Sequence, residues 1–230
     1  MSNLVLMNLD GKPQSKSLLY HGSKGGLDGP PRPCSRELCD FGSAFYLGTN
    51  KVQSFSICAF SDRPVGYTCD LRLNGLNVRE LTEVEWPLFV LYNRRNSILR
   101  GAPSLKRQIG DFSRKCDVVI GPIADDRIAE AFNNFVNGSM TFEDLSRCIS
   151  ELDLGVQYAL KTQKACNNVS IISERELYGG ELKRFLEIAL KHREQGGAIY
   201  KKYKHYSRRT GMYIDEFVDY YKGGIENGFL

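Results

Sequence analysis

Hydrophobic and polar residues alternate in two segments of the chain, 65–74 and 156–161. A period of two is typical of a strand with one buried face, so both segments are predicted to be half-buried β-strands. In the second strand, Gln157 and Tyr158 must point to opposite faces of the sheet. Shorter apolar runs that end in turn residues predict further strands at 16–22, 43–47, 116–121 and 169–172.

Apolar residues recur at helical spacing in other segments, as in 83–95. Asn50 is a residue type that caps helices, and it predicts a helix that runs from there to about residue 60. Two further helices are predicted in the middle of the chain, and Thr141 opens the second of them with a capping-box pattern. The apolar and aromatic residues of 181–222 predict more helix, interrupted by the glycine pair at 196–197.

Strands and helices mixed in this order predict an α+β fold. The expected domain covers 16–175, with a short N-terminal segment at 1–15 and a helical C-terminal extension at 176–230. The 230 residues are 42% hydrophobic with a formal net charge of +4, which favours a globular protein and does not single out a polyanionic partner.

The chain shows no sign of a membrane or metal partner. It has no run of about 18 apolar residues, and its first ten residues lack the basic region of a signal peptide. A cytoplasmic location is therefore expected, and delivery to a target cell by a route that the sequence does not show stays open. The 7 cysteines include no C-x-x-C pair, so reduced thiols and no metal site are predicted.

The residues with the clearest chemistry lie in the first fifth of the chain. His21 ends the first predicted strand and is followed by a glycine, and Tyr46 lies on the next strand behind a pair of small residues. A histidine and an aromatic residue placed in this way can hold a planar amide ring between them. The loop between the two strands is rich in glycine and proline, and such loops often contribute ligand contacts.

These residues belong to four motifs that occur in order along residues 18–172: LYHGS, DFGxxFYL, EWxxFVxxNR and DVVIGPxADDR, at 19–23, 40–47, 85–94 and 117–127. With these motifs the chain resembles the ADP-ribosyltransferase fold of the His-Tyr-Glu type, the group that includes poly-ADP-ribose polymerases and rifampin-modifying transferases. It is more closely similar to an uncharacterised bacterial toxin-like family with the same motifs. The resemblance implies a split β-sheet core with surrounding helices and a C-terminal helical appendage.

The resemblance also implies an enzyme that uses NAD as its substrate, without a metal. It would transfer ADP-ribose to a macromolecular acceptor, either protein or nucleic acid, and a small antitoxin-like inhibitor protein is a partner that the family suggests. By this resemblance His21 would bond to a ribose hydroxyl, and Tyr46 would stack on the nicotinamide ring. The implied NAD-contacting residues are His21, Gly22, Ser23, Phe45, Tyr46, Ser54 and Arg94.

The sequence departs from the family pattern at two positions. Ile57 stands where polymerases have a second stacking tyrosine, and Gln157 stands where the catalytic glutamate is expected. A glutamine can accept a hydrogen bond from a ribose hydroxyl, but it cannot ionise or take a proton. Loss of a general base costs roughly 10²- to 10⁴-fold in rate. Transfer to an already reactive acceptor, rescue by Asp125 or Asp126, and binding without turnover all stay open.

Each assignment has a structural alternative. His21 can be part of a plain turn, Tyr46 a core residue, and Gln157 an inert polar residue of the sheet. Asp125 and Asp126 can cap the following helix, where carboxylates favour the helix dipole. Arg94 suits a helix C-terminus as well as it suits a pyrophosphate.

The C-terminal segment 183–209 is rich in lysine and arginine and contains Tyr200, Tyr203 and Tyr206. Basic residues interleaved with aromatic ones can bind phosphates and stack on bases, which is typical of nucleic-acid binding. The alternative is a helix whose tyrosines pack on the core while the cations stay in solvent.

Overall fold

The computed structural model describes residues 18–35, 38–123, 126–152 and 155–225. Seven strands form one mixed sheet in the order β4-β5-β6-β2-β1-β3-β7. Only β4 and β5 pair in parallel, and all other neighbours are antiparallel. The strands are β1 Leu19–Ser23, β2 Phe45–Gly48, β3 Val65–Leu71, β4 Val78–Glu80, β5 Val118–Pro122, β6 Val156–Leu160 and β7 Val169–Glu176.

Helices cover the sheet, so the prediction of a mixed α+β fold is confirmed. In the described part of the chain, a 3₁₀ helix at Asn96–Gly101 accompanies eight α-helices. The α-helices are α1 Lys51–Ser56, α2 Glu85–Arg94, α3 Pro103–Lys115, α4 Asp126–Val136, α5 Phe142–Leu152, α6 Gln163–Cys166, α7 Gly179–Tyr203 and α8 Ile214–Tyr220.

The sheet is continuous and not divided into two separate sheets, which corrects the expected split core. Its two parts, β4-β5-β6-β2 and β1-β3-β7, meet where β1 pairs with β2. A single residue pair, Tyr20 with Gly48, joins these two strands, whereas β1 and β3 pair over five residues. The sheet is therefore weakest at this junction, and space opens there for a ligand.

The C-terminal segment shares the hydrophobic core of the rest of the chain. Phe217 of α8 is fully buried in the same cluster as Trp86 of α2. Phe185 of α7 packs edge-to-face on Phe55 of α1, with ring centroids 5.6 Å apart. Helix α7 continues through the glycine pair at 196–197, which differs from the predicted interruption. Its contacts with α1, α4 and α5 outweigh the low helix propensity of glycine. Within the described ranges, no helix has the length and apolar character needed to span a membrane.

Candidate functional site

The weak junction between β1 and β2 opens into a cavity of about 710 Å³. A volume of this size is typical of small-molecule and cofactor pockets. Residues from β1, β2, α1, α2 and β6 line it together with the segment 38–40. Six of the residues singled out in the sequence are among them: His21, Gly22, Tyr46, Ser54, Arg94 and Gln157.

Strand register explains how residues so far apart in sequence reach one cavity. Gly48 of β2 lies opposite Tyr20 of β1 on one side and opposite Gln157 of β6 on the other. These three positions form a row across the sheet, so that β6 presents Gln157 two strands away from the histidine strand. The sequence motifs therefore converge in space.

His21 is held as a neutral imidazole with a defined tautomer. Its Nδ1 lies 2.8 Å from the carbonyl oxygen of Tyr46. Because a carbonyl can only accept, Nδ1 carries the proton and Nε2 is left as an acceptor. Burial lowers the pKa of His21 below its ordinary value and outweighs the opposing effect of this hydrogen bond. The ring of Phe45 packs against the imidazole, with centroids 4.4 Å apart.

The hydroxyl of Tyr46 is fully engaged, so the residue offers its ring to the cavity. The hydroxyl donates to the carbonyl of Gly42 at 2.7 Å and accepts from the backbone N–H of Phe41 at 3.1 Å. Burial, the largest effect, raises the pKa of Tyr46 far above its ordinary value. The phenol therefore stays neutral, and its ring is fixed in orientation.

Two glycines allow α1 to lie directly on the strands. A Cβ on Gly22 would overlap the backbone carbonyl of Ser54, and a Cβ on Gly48 would lie 2.5 Å from the Ser54 hydroxyl oxygen. The helix begins at the N-cap Asn50, whose side chain accepts from the backbone N–H of Gln53 at 3.1 Å. This close approach places the buried Ser54 at the junction of β1 and β2.

Gln157 and Arg94 add polar groups to the lining of the cavity. The amide nitrogen of Gln157 donates to the carbonyl of Pro122 at 3.1 Å, which leaves the amide oxygen as its free acceptor. Arg94, the last residue of α2, has its Nε 2.7 Å from the carboxylate of Asp40. Asp40 also lines the cavity, although the sequence analysis gave it no role. Asp40 begins the second motif and Arg94 ends the third, but only the fold shows that the two residues pair.

The remaining predicted site residues lie elsewhere. Ser23 and Phe45 line a second cavity of about 450 Å³, which shares His21 and Tyr46 with the first. Asp125 lies outside the described residues. Asp126 begins α4, and only its backbone is described.

The chain matches a family model described as a protein of unknown function, DUF3990, over residues 17–171. It belongs to this family. The match includes all the strands up to Ile171 and every residue of the junction cavity, so the cavity lies within the family domain of this DUF3990 protein. No curated protein and no solved structure matches the chain.

The basic segment 183–209 lies beyond the DUF3990 match, and part of it packs against the rest of the protein. Tyr200 is buried, whereas Tyr206 is 71% exposed. Lys202 pairs with Glu151 of α5 at 2.7 Å, and the same carboxylate accepts from the hydroxyl of Tyr203 at 2.5 Å. These contacts fasten α7 to α5, which agrees with the packing alternative for this part of the segment.

The described residues of the family member contain no group of histidine, cysteine, aspartate or glutamate side chains suited to a metal ion.

Proposed function

We propose that this protein is an NAD-dependent ADP-ribosyltransferase whose active site is the cavity at the β1–β2 junction. The observation that carries the proposal is the convergence of His21, Tyr46 and Gln157 on one cavity. These three residues come from separate strands, and each presents a group suited to one part of NAD. An imidazole acceptor, an aromatic face and an amide acceptor are what the nicotinamide riboside half requires.

The nicotinamide ring would stack on Tyr46, the aromatic face whose orientation is fixed. Its carboxamide would bond to the backbone of Gly22 and to the hydroxyl of Ser54. The ribose hydroxyls would donate to Nε2 of His21 and to the amide oxygen of Gln157. The ADP half would extend into the second cavity, since the two cavities share His21 and Tyr46 as a common wall.

Arg94 would bind the pyrophosphate through its terminal guanidinium nitrogens. Its Nε is already paired with Asp40, and a planar guanidinium can bind a second anion through its remaining donors. The carboxylate then fixes the orientation of the arginine, and this partly buried ion pair contributes mainly to geometry.

In the proposed reaction, the bond between ribose C1′ and the nicotinamide nitrogen breaks, and its electron pair leaves with the nicotinamide. The leaving group is neutral, so no proton donor is needed. The acceptor nucleophile forms the new bond to C1′ and loses its proton to solvent or to a base. Catalysis by the protein is positional and electrostatic, because Gln157 orients the ribose without supplying a charge.

A second function, an NAD or ADP-ribose sensor without turnover, is favoured by one observation. Gln157 provides a neutral amide where a transferase of this type has a carboxylate, and its nitrogen is tied to Pro122. Such a protein would bind the dinucleotide in the same cavity and would respond to its concentration.

The two functions are separated by incubation with NAD labelled in its adenine ring, in the presence of an extract that supplies protein and nucleic-acid acceptors. A transferase attaches label to the acceptors and releases nicotinamide, and His21→Ala abolishes both. Gln157→Glu should raise the rate by roughly 10²- to 10⁴-fold, because it restores an ionisable group. NAD binding without nicotinamide release in the wild type and in Gln157→Glu would favour the sensor. Absence of both binding and release would refute both functions.

A further inference from the structure

The turn at Asp40–Gly42 begins with Asp40, which lines the cavity. The three consecutive carbonyls of this turn are each bound by a side chain from a different part of the chain. The amide of Asn93 on α2 donates to the carbonyl of Asp40 at 3.1 Å. Nζ of Lys161 donates to the carbonyl of Phe41 at 2.6 Å, and the Tyr46 hydroxyl donates to that of Gly42 at 2.7 Å. Three side-chain hydrogen bonds therefore hold the turn in place.

Glycine is required at the end of this turn. Gly42 has a φ of +79°, a conformation that other residues rarely adopt. A Cβ there would lie 2.7 Å from the side-chain oxygen of Asn93 and 3.4 Å from Nζ of Lys161. A side chain at position 42 would therefore collide with Asn93 and crowd Lys161, the two residues that donate to the neighbouring carbonyls of the turn.

Lys161 directly follows β6, and its Nζ reaches the turn at Phe41. Its Nζ lies 5.5 Å from the ring centroid of Phe89, so the ammonium is held between an aromatic face and the Phe41 carbonyl. Lysine is rarely placed among buried aromatic residues, because desolvation of its charge is costly. Its position here therefore calls for a role that a neutral side chain would not fill.

We propose that Lys161 is a positioning residue, whose ammonium holds the Asp40–Gly42 turn and thereby fixes the ring of Tyr46 and the Asp40–Arg94 ion pair in the cavity wall. The effect on a ligand rests on the proposed function. The effect on the turn does not, and it can be measured on the protein alone.

The charge of Lys161 changes in an accessible pH range. Burial lowers its pKa to about 8, so the ammonium is present below this pH and is lost as the pH rises through it. A neutral amine still donates to the Phe41 carbonyl, but the hydrogen bond is weaker without the charge.

Three titratable groups near Lys161 have pKa values that are shifted away from this range. Directly after α3, burial raises the pKa of the Cys116 thiol to about 11. Next to it, hydrogen bonds outweigh desolvation and hold the pKa of Asp117 below its ordinary value. From the turn and α2, the Asp40 carboxylate faces the Arg94 guanidinium, and from β2 the phenol of Tyr46 stays neutral.

The first test measures the turn without any ligand, through the single tryptophan of the chain. The rings of Phe41 and Trp86 are neighbours. A Cβ added to Gly121 would lie 2.8 Å from the ring of Phe41 and 3.2 Å from the ring of Trp86. We expect the fluorescence of Trp86 to change with a midpoint near pH 8, where Lys161 loses its proton. Lys161→Arg should remove this transition because arginine stays charged. The exposed neighbour Lys164→Met is a control that should keep it.

The second test measures NAD affinity across the same pH range. We expect the affinity of the wild type to fall by about five- to tenfold above pH 8, and that of Lys161→Arg to stay constant. Lys161→Met should bind NAD weakly at every pH. If the methionine variant does not fold, the comparison of the wild type with Lys161→Arg still tests the positioning role.

The two tests distinguish a failure of the proposed function from a failure of the positioning role of Lys161. Absence of NAD binding at any pH refutes the proposed function and leaves the Trp86 titration to decide on the turn. A Trp86 transition that is absent from the wild type, or that persists in Lys161→Arg, overturns the positioning role. So does an NAD affinity that is independent of pH in the wild type and equal in Lys161→Met.

Discussion

At the β1–β2 junction, contacts with neighbouring elements fix the state of single residues. The Tyr46 carbonyl sets the tautomer of His21, and the closeness of α1 excludes a side chain at position 22. The motif containing these residues is read directly from the sequence. The tautomer of His21 and the need for glycine at position 22 cannot be read from the sequence, because they depend on distances between elements.

The lowered pKa of His21 makes stability depend on pH in a defined direction. Because the unfolded chain takes up a proton near pH ~6.5 while the folded chain resists it, acidification below that value favours unfolding. We expect the free energy of unfolding to fall below pH ~6.5, by at most about 1.4 kcal/mol per pH unit from this group. Above pH ~6.5 His21 contributes no dependence on pH.

Urea denaturation between pH 5 and 8 measures this effect. His21→Asn keeps a donor near the Nδ1 position without a titratable ring, so its stability should depend less on pH than that of the wild type. The exposed His205→Asn is the control and should behave like the wild type. Equal pH dependence in His21→Asn and the wild type would contradict the assignment.

Gly22 should tolerate no side chain. Gly22→Ala introduces a Cβ against the backbone carbonyl of Ser54, and such overpacking costs about 1–3 kcal/mol. Gly25 lies in the following loop, and a Cβ there would meet nothing within 4 Å. Chemical denaturation should show a marked loss of stability for Gly22→Ala and almost none for Gly25→Ala. Similar losses in both would show that the close approach of α1 to β1 does not govern stability.

At the scale of elements, periodicity predicted most of the strands and helices that surround the cavity. It missed β4, since three residues give too short a pattern and β4 exists only by pairing with β5. Helix α3 was also missed, although Leu105, Ile109 and Phe112 are buried at helical spacing. The Lys161 contact could not be found in the sequence, because its partner Phe41 is 120 residues away.

The cap of α1 should matter for both stability and binding. Asn50→Ala removes the acceptor for the Gln53 N–H, and loss of an N-cap typically costs about 1 kcal/mol. Because α1 carries Ser54, the same change should weaken NAD binding. Asn50→Asp preserves the cap and is the matched control. Thermal denaturation should rank the wild type close to Asn50→Asp and above Asn50→Ala, and equal stability of the alanine variant would be the contrary result.

At the scale of the whole molecule, the C-terminal helices and the family domain share one hydrophobic core. The DUF3990 match ends at residue 171, yet Phe217 packs among aromatic residues from within the matched region, such as Phe135, at 5.5 Å between ring centroids. The sequence predicted a helical extension that begins at residue 176. It did not show that the apolar faces on both sides of this point pack together.

Unfolding should therefore be a single transition for the whole chain. Phe217→Ala removes a fully buried ring and should lower the free energy of unfolding by about 3–5 kcal/mol. Tyr220→Ala, on the same helix but with a side chain 73% exposed, should have little effect. Trp86 fluorescence and far-UV circular dichroism should report the same midpoint in each variant. Loss of α8 without a change at Trp86 would indicate a separable extension.

Isothermal titration calorimetry with NAD can establish whether the β1–β2 junction binds NAD through His21 and Tyr46. We expect saturable binding of one NAD per chain, which nicotinamide competes away and His21→Ala greatly weakens. Absence of saturable heat, or equal affinity in the wild type and a folded His21→Ala variant, would contradict this expectation.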